Sequence, residues 1–177
     1  MPRLFTGVEI PPAIGEALGM LRGGLPGARW ITPDNYHLTL RFIGDIDDVT
    51  AQEIALMLGR GRRIGFNLHL EGLTSFGGRR PRAVVATVSP EPALIELQAE
   101  QERLLRRIGL QPEARKYTPH VTLARLRDSS SLDVAEYLSA RGYFRTAAFP
   151  VSRFVLFSSR ASVGGGPYVV EASYPLG

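Results

Sequence analysis

The sequence contains no cysteine, which removes disulfides, thiolate catalysis and cysteine-rich zinc sites together. Lysine is nearly absent too: among the 21 basic residues only Lys116 is not an arginine. No apolar run approaches the roughly 18–20 residues needed to span a bilayer. Met1 to Ile10 lacks a continuous apolar stretch and carries Glu9 too early for a secretory signal. P-loop and dinucleotide-binding signatures are missing, and Gly164-Gly165-Gly166-Pro167 reads as a flexible hairpin turn rather than a phosphate cradle. These absences leave a cytoplasmic enzyme or binding protein, with no membrane association, as the expectation.

What is present fits a globular chain. The 177 residues are 44% hydrophobic and 21% charged, enough for one domain or two small lobes sharing a core. A single unit covering residues 1–177 is expected, because no linker or low-complexity tract divides it. The net charge of +4 and the pI of about 9.8 suit a polyanionic partner such as RNA. Codon bias explains the arginine excess equally well.

Alternation marks Leu4–Ile10 as a strand, and Pro11-Pro12 opens a helix that ends near Gly23-Gly24. A strand at Trp30, a turn at Thr32-Pro33-Asp34-Asn35 and a strand from Tyr36 to Gly44 follow. Next come a helix from Asp47-Asp48 to Gly59, with Ile54, Leu56 and Leu58 partly buried, and strands at Phe66–Ser75 and Arg82–Ser89. The clearest helix runs from Ala93 to Ile108, with Leu94, Leu97, Leu104, Leu105 and Ile108 at near-helical spacing. The second half repeats the vocabulary: a strand at Tyr117–Leu126, a short helix at Leu132–Ala140, and strands at Ala147–Ser158 and Tyr168–Ser173. Intermixed helices and hairpin-spaced strands favour an α+β fold with antiparallel sheets over a doubly wound parallel one.

Two of the three histidines stand in matching tetrapeptides, His37-Leu38-Thr39-Leu40 and His120-Val121-Thr122-Leu123, each after a turn containing Thr-Pro. In a strand, residues i and i+2 share a face. His37 and Thr39 therefore point one way and Leu38 and Leu40 the other; His120 and Thr122 are backed likewise by Val121 and Leu123. Brought together, these strands would place two imidazoles and two hydroxyls around one pocket. A neutral imidazole can take a proton from water while an imidazolium protonates a departing ribose oxygen. Threonine hydroxyls can donate to non-bridging phosphate oxygens. One His-x-Thr-x segment is common in half-exposed strands; two with matching turns are not. His69, in Asn67-Leu68-His69-Leu70-Glu71, has no such threonine and reads as an ordinary sheet residue.

The paired motifs and their flanks resemble the 2H phosphoesterase superfamily. The branch they are most similar to is the bacterial and archaeal RNA 2′,3′-cyclic phosphodiesterases, first known as 2′-5′ RNA ligases. The resemblance runs through Arg3 to Val8, the block from Asn35 to Gly44, Thr118 to Arg125, and the Leu156 and Tyr168 strands. It implies two pseudo-symmetric α+β lobes, each with an antiparallel sheet and helices, around a central cleft. It also implies metal-independent opening of an RNA terminal 2′,3′-cyclic phosphate to a 2′-phosphomonoester, with reversible 2′-5′ ligation as a related activity. Transferred to this sequence, His37 becomes the proton donor to O3′ and His120 the general base toward water; the residues alone leave that order open. Thr39 and Thr122 become phosphate ligands.

Arg125 joins the phosphate ligands by resemblance, although strand parity turns it away from His120 unless a bulge intervenes. Arg41 shares parity with His37 and is either a phosphate contact or a solvated rim residue. Tyr36, Phe42 and Tyr117 are candidates to stack on a base, with core or rim packing as their more ordinary use. RNA ends or oligonucleotides bearing 2′,3′-cyclic phosphate are the expected partners, and a monomer is the expected state. Alternatives within the superfamily are cyclic nucleotides, ADP-ribose cyclic phosphate and 2′-5′ oligonucleotides. The basic runs Arg60-Gly61-Arg62-Arg63 and Arg79-Arg80-Pro81-Arg82 lean toward longer RNA. A non-catalytic RNA-end-binding module is the alternative of another class. A metal site has little support from three histidines without clustered carboxylates, so neither metal nor cofactor is expected.

Overall fold

The structure, a computed structural model, describes residues 3–61, 63–159 and 166–177. Arg62 and Gly164-Gly165, parts of two expected loops, lie outside them. Strand β1 (Arg3–Glu9) leads into α1 (Pro12–Gly19), where Pro12 at the first helical position sacrifices no helical hydrogen bond. The helix ends before the expected Gly23-Gly24 pair; both those glycines take positive φ and continue the turn. Strand β2 (Ala28–Trp30), a 3-10 turn at Pro33–Asn35 and β3 (His37–Asp45) follow. Asp47 caps α2 (Asp48–Leu58) by accepting a hydrogen bond from the Thr50 amide at 2.8 Å. Ile54 and Leu58, four residues apart, are buried, whereas Leu56 is 72% exposed on the opposite side of the helix. That corrects its expected burial.

The expected strand Phe66–Ser75 is two strands, β4 (Phe66–Leu68) and β5 (Leu70–Phe76), broken at His69. His69 is therefore a joint rather than an ordinary sheet residue, and its carbonyl accepts from the Ser89 amide. After β6 (Ala83–Val88) come α3 (Pro92–Arg107), β7 (His120–Leu126) and α4 (Ser131–Arg141). The expected Ala147–Ser158 strand likewise divides into β8 (Phe149–Val151) and β9 (Arg153–Ser158), before β10 (Val169–Pro175). Both divisions have one cause: β4 and β8 leave the main sheet to pair with each other.

The main sheet is antiparallel with the order β10-β9-β1-β3-β7-β6-β5, and β2 also pairs with β7. Its two lobes, β10-β9-β1-β3 and β7-β6-β5 with β2, meet at the pair Leu38–Val121. The lobes are not the two halves of the sequence. α3, from the second half, packs against β3, and β2, from the first half, pairs with β7. Each motif strand is thus held by a segment from the other half. Leu38, Leu40, Val121 and Leu123 are all buried in one core under the helices. Each full burial is worth roughly 1.5–3 kcal/mol, so the same alternation that fills the core fixes which way the histidines face. No helix among the described residues is long and apolar enough to cross a membrane.

Candidate active site

The histidines are the first residues of β3 and β7, and these strands touch through Leu38 opposite Val121. Carried one residue to either side, that antiparallel register sets His37 opposite Thr122 and Thr39 opposite His120. The four side chains form a crossed square on one sheet face, with the leucines and valine behind. Both strands then bulge at the same point. On β3, Gly7 pairs with Thr39 and Thr6 with Arg41, so Leu40 has no partner. On β7, Val85 pairs with Thr122 and Val84 with Ala124, so Leu123 has none.

A bulge advances the strand by one residue without a partner and exchanges the faces beyond it. The consequences differ between the motifs. On β7, Ala124 turns into the core and Arg125 emerges, exposed, on the face of His120 and Thr122. Arg125 thus shares the histidine face, and the parity objection disappears. On β3, Arg41 turns inward and Phe42 emerges, 51% exposed. Arg41 as a phosphate contact or rim residue is therefore corrected: it is 8% exposed and its guanidinium donates to the Glu102 carboxylate and to the carbonyls of Phe42 and Gln111.

The imidazoles are oriented alike. The Nδ1 of His37 lies 3.0 Å from the Asn35 carbonyl and that of His120 lies 2.6 Å from the Thr118 carbonyl. A carbonyl only accepts, so Nδ1 carries the proton in both rings and Nε2 is left for chemistry. Their surroundings differ. His37 packs among Phe5, Tyr168 and Phe157, with ring centroids 4.8, 4.9 and 5.7 Å away. Burial lowers its pKa from 6.5 to about 4, opposed by the Asn35 carbonyl and assisted by the charges of His120 and Arg125. His120 has one ring neighbour among the described residues, Phe76, in an edge-to-face contact with centroids 4.8 Å apart; burial lowers its pKa as well, and the Thr118 carbonyl opposes the shift.

The close packing around His37 needs Gly7 on the neighbouring strand, since a Cβ there would stand 2.8 Å from the Leu38 carbonyl oxygen and 3.1 Å from the Phe157 ring. Tyr117 joins the motifs: its hydroxyl donates to the Thr39 carbonyl at 2.9 Å. Tyr36 is buried in the core. Of the three aromatic candidates Phe42 alone is substantially exposed on the site face. His69 lies elsewhere and pairs with Glu71 at 3.1 Å. No group of three or more histidine, aspartate or glutamate side chains among the described residues is placed to hold a metal ion. Sequence reasoning does not single out Arg29, which stands directly opposite Arg125 across the β2–β7 pair; only the strand pairing reveals it.

Two antiparallel lobes with a His-x-Thr-x strand from each define the class as a 2H phosphoesterase. The family model LigT like Phosphoesterase matches residues 8–86 and again 87–168, and the chain belongs to that family. It is 31% identical to an RNA 2′,3′-cyclic phosphodiesterase of Aquifex aeolicus, over 99% of this chain and 97% of the relative. A relative of the same description from Aeropyrum pernix is 37% identical over 111 residues, 62% of either chain. Among solved structures, Escherichia coli LigT complexed with 3′-AMP superposes with a TM-score of 0.81 at 28% identity, covering 99% of both chains.

Proposed function

We propose that this protein hydrolyses the 2′,3′-cyclic phosphate at an RNA end to a 2′-phosphomonoester, using His120 as base and His37 as acid and needing no metal. Neutral His120 takes a proton from water at Nε2 as the water attacks phosphorus. His37, protonated, gives its Nε2 proton to O3′ on the opposite side, so the P–O3′ bond breaks in line with the attack. Thr39 and Thr122 donate to the non-bridging oxygens, and the Arg125 guanidinium neutralises their charge. A 5′-hydroxyl in the place of water would give a 2′-5′ linkage by the same displacement. The setting proposed for this work is the cytoplasm.

The observation that supports the reading is the Leu38–Val121 pairing, whose register sets a histidine and a threonine from each motif strand on one face, with neither Nε2 hydrogen-bonded to another described residue. The relatives described as RNA 2′,3′-cyclic phosphodiesterases support the same chemistry. The direct test incubates an oligonucleotide ending in 2′,3′-cyclic phosphate with the protein in excess EDTA and identifies the product. A 2′-phosphate terminus is expected. A 3′-phosphate would reverse the orientation of the ribose, and activity lost to chelation and restored by a divalent ion would sink the metal-free mechanism.

A further inference from the structure

Arg29 and Arg125 are directly paired across two antiparallel strands, where like charges on one face repel. Neither guanidinium has a carboxylate or hydrogen-bond partner among the described residues. Other arginines in this chain do: Arg3 has Asp45, Arg41 has Glu102, Arg63 has Glu100 and Arg153 has Glu9. Two adjacent, unneutralised guanidiniums are an arrangement that an anion would stabilise. They border a cleft of about 300 Å³, walled also by Trp30, Thr32, Asn35 and Pro167. The cleft starts beside the active site, since the Asn35 carbonyl orients His37 and the Arg125 charge acts on that ring.

Resting on the proposed activity, we infer that this cleft holds the internucleotide phosphate on the 5′ side of the terminal nucleotide, so that the enzyme reads an RNA strand rather than a lone cyclic nucleotide. The spacing suits this. Because of the bulge, Thr122 and Arg125 are two pairing positions apart, about 7 Å along the strand, the scale separating successive phosphates of one nucleic-acid chain. Arg125 stands between the two phosphates, and Arg29 can serve only the outer one. The Thr32 hydroxyl accepts from the side-chain Nδ2 of Asn35 at 2.8 Å, which leaves its own proton to donate to a phosphate oxygen. The Trp30 ring is committed to Tyr137, with centroids 5.6 Å apart, so the cleft offers charge and hydroxyl contacts rather than a stacking platform. It therefore selects for a phosphate, not for a base.

The test compares kcat/KM on three substrates: adenosine 2′,3′-cyclic phosphate, the same nucleotide carrying a 5′-phosphate, and the dinucleotide ApA 2′,3′-cyclic phosphate. The dinucleotide should exceed the bare nucleoside by at least about tenfold, the worth of one charge-assisted contact. That advantage should lie mainly in KM, collapse toward one in Arg29→Gln, and be largely recovered in Arg29→Lys. The salt dependence for the dinucleotide should become shallower in Arg29→Gln by about one phosphate contact. Equal rates on nucleoside and dinucleotide, or an advantage surviving Arg29→Gln, would overturn the inference while leaving the hydrolytic activity standing. An advantage from the 5′-monophosphate alone, absent from the dinucleotide, would overturn the RNA-strand reading in favour of a small nucleotide. No hydrolysis of any of the three would overturn the activity and this inference with it.

Discussion

His37, the acid of the proposed mechanism, sits in a place that discourages its charge. Its aromatic surroundings hold the free imidazole neutral, with a pKa of about 4, and burial lowers His120 from 6.5 too. In the free enzyme the proposed mechanism needs His120 neutral, favoured above its pKa, and His37 protonated, favoured below about 4. Because both values lie below 6.5, the product of those two fractions is a bell centred below pH 6.5, and this is what kcat/KM should trace. A bound anionic phosphate favours imidazolium and raises both values, so the bell for kcat should lie at higher pH than that for kcat/KM. Coincident bells, or a kcat/KM maximum above pH 7, would contradict it. His37→Ala and His120→Ala should each cost at least about a hundredfold in turnover, while His69→Ala should cost little. Replacing O3′ by sulfur separates their roles, because a thiolate leaves without being protonated. The His37→Ala deficit should then shrink and the His120→Ala deficit persist; the reverse result would exchange acid and base. The sequence exposes the histidines and threonines readily, because their shared face follows from strand period alone. The lowered pKa of His37 was not legible there, since Phe5, Phe157 and Tyr168 reach it only through tertiary pairing.

At the scale of elements, the two bulges decide what each motif strand presents. β3 and β7 have the same burial pattern through their first seven residues, two buried positions in succession at the bulge. The residues that follow differ. Arg125 faces the site where β3 presents Phe42, and Ala124 fills the core where β3 buries Arg41. One lobe therefore supplies a cation at the rim and the other an aromatic ring. None of this was legible from alternation, because a bulge exists only relative to a partner strand, and strict parity assigns Arg41 and Arg125 to the wrong faces. The buried Arg41 instead pins α3 to β3, beside the buried hydrogen bond from Thr6 to Gln101. Arg41→Met should destabilise the protein by about 1–3 kcal/mol, because it removes the buried partner of the Glu102 carboxylate and leaves it only the exposed Arg106 guanidinium, 3.8 Å away. Denaturant unfolding would measure this, and Arg41→Met/Glu102→Leu should recover much of the loss. A change below about 1 kcal/mol in the single variant would mean that the pair is effectively solvated, as exposed ion pairs are.

At the scale of the molecule, catalysis depends on how two lobes are held at one contact. The main sheet is continuous from β10 to β5, yet β3 and β7 are joined in register only at Leu38 and Val121. The exchange of segments between sequence halves, α3 onto β3 and β2 onto β7, ties the lobes from behind. Such crossing was hidden in a sequence that reads as two successive repeats, because repeat order does not say which copy a helix covers. On the site side the tie is the Tyr117 hydroxyl on the Thr39 carbonyl. Burial holds the Tyr117 pKa far above its usual 10, so it remains a donor throughout the working pH range. Tyr117→Phe removes this one hydrogen bond and keeps the ring, which should cost about 0.5–1.5 kcal/mol in denaturant unfolding. The cost to kcat should be larger than that stability loss suggests. A displacement of about 1 Å between reacting groups can cost up to about a hundredfold, and Thr39 is the proposed ligand of the phosphate that His120 would address. Turnover should fall at least about tenfold with the pH bell unmoved, because the phenol removed does not titrate in the working pH range. If turnover stays at the wild-type level while stability drops, the Leu38–Val121 pairing alone keeps the motifs aligned, and Tyr117 holds the lobes together without setting the geometry of the reaction.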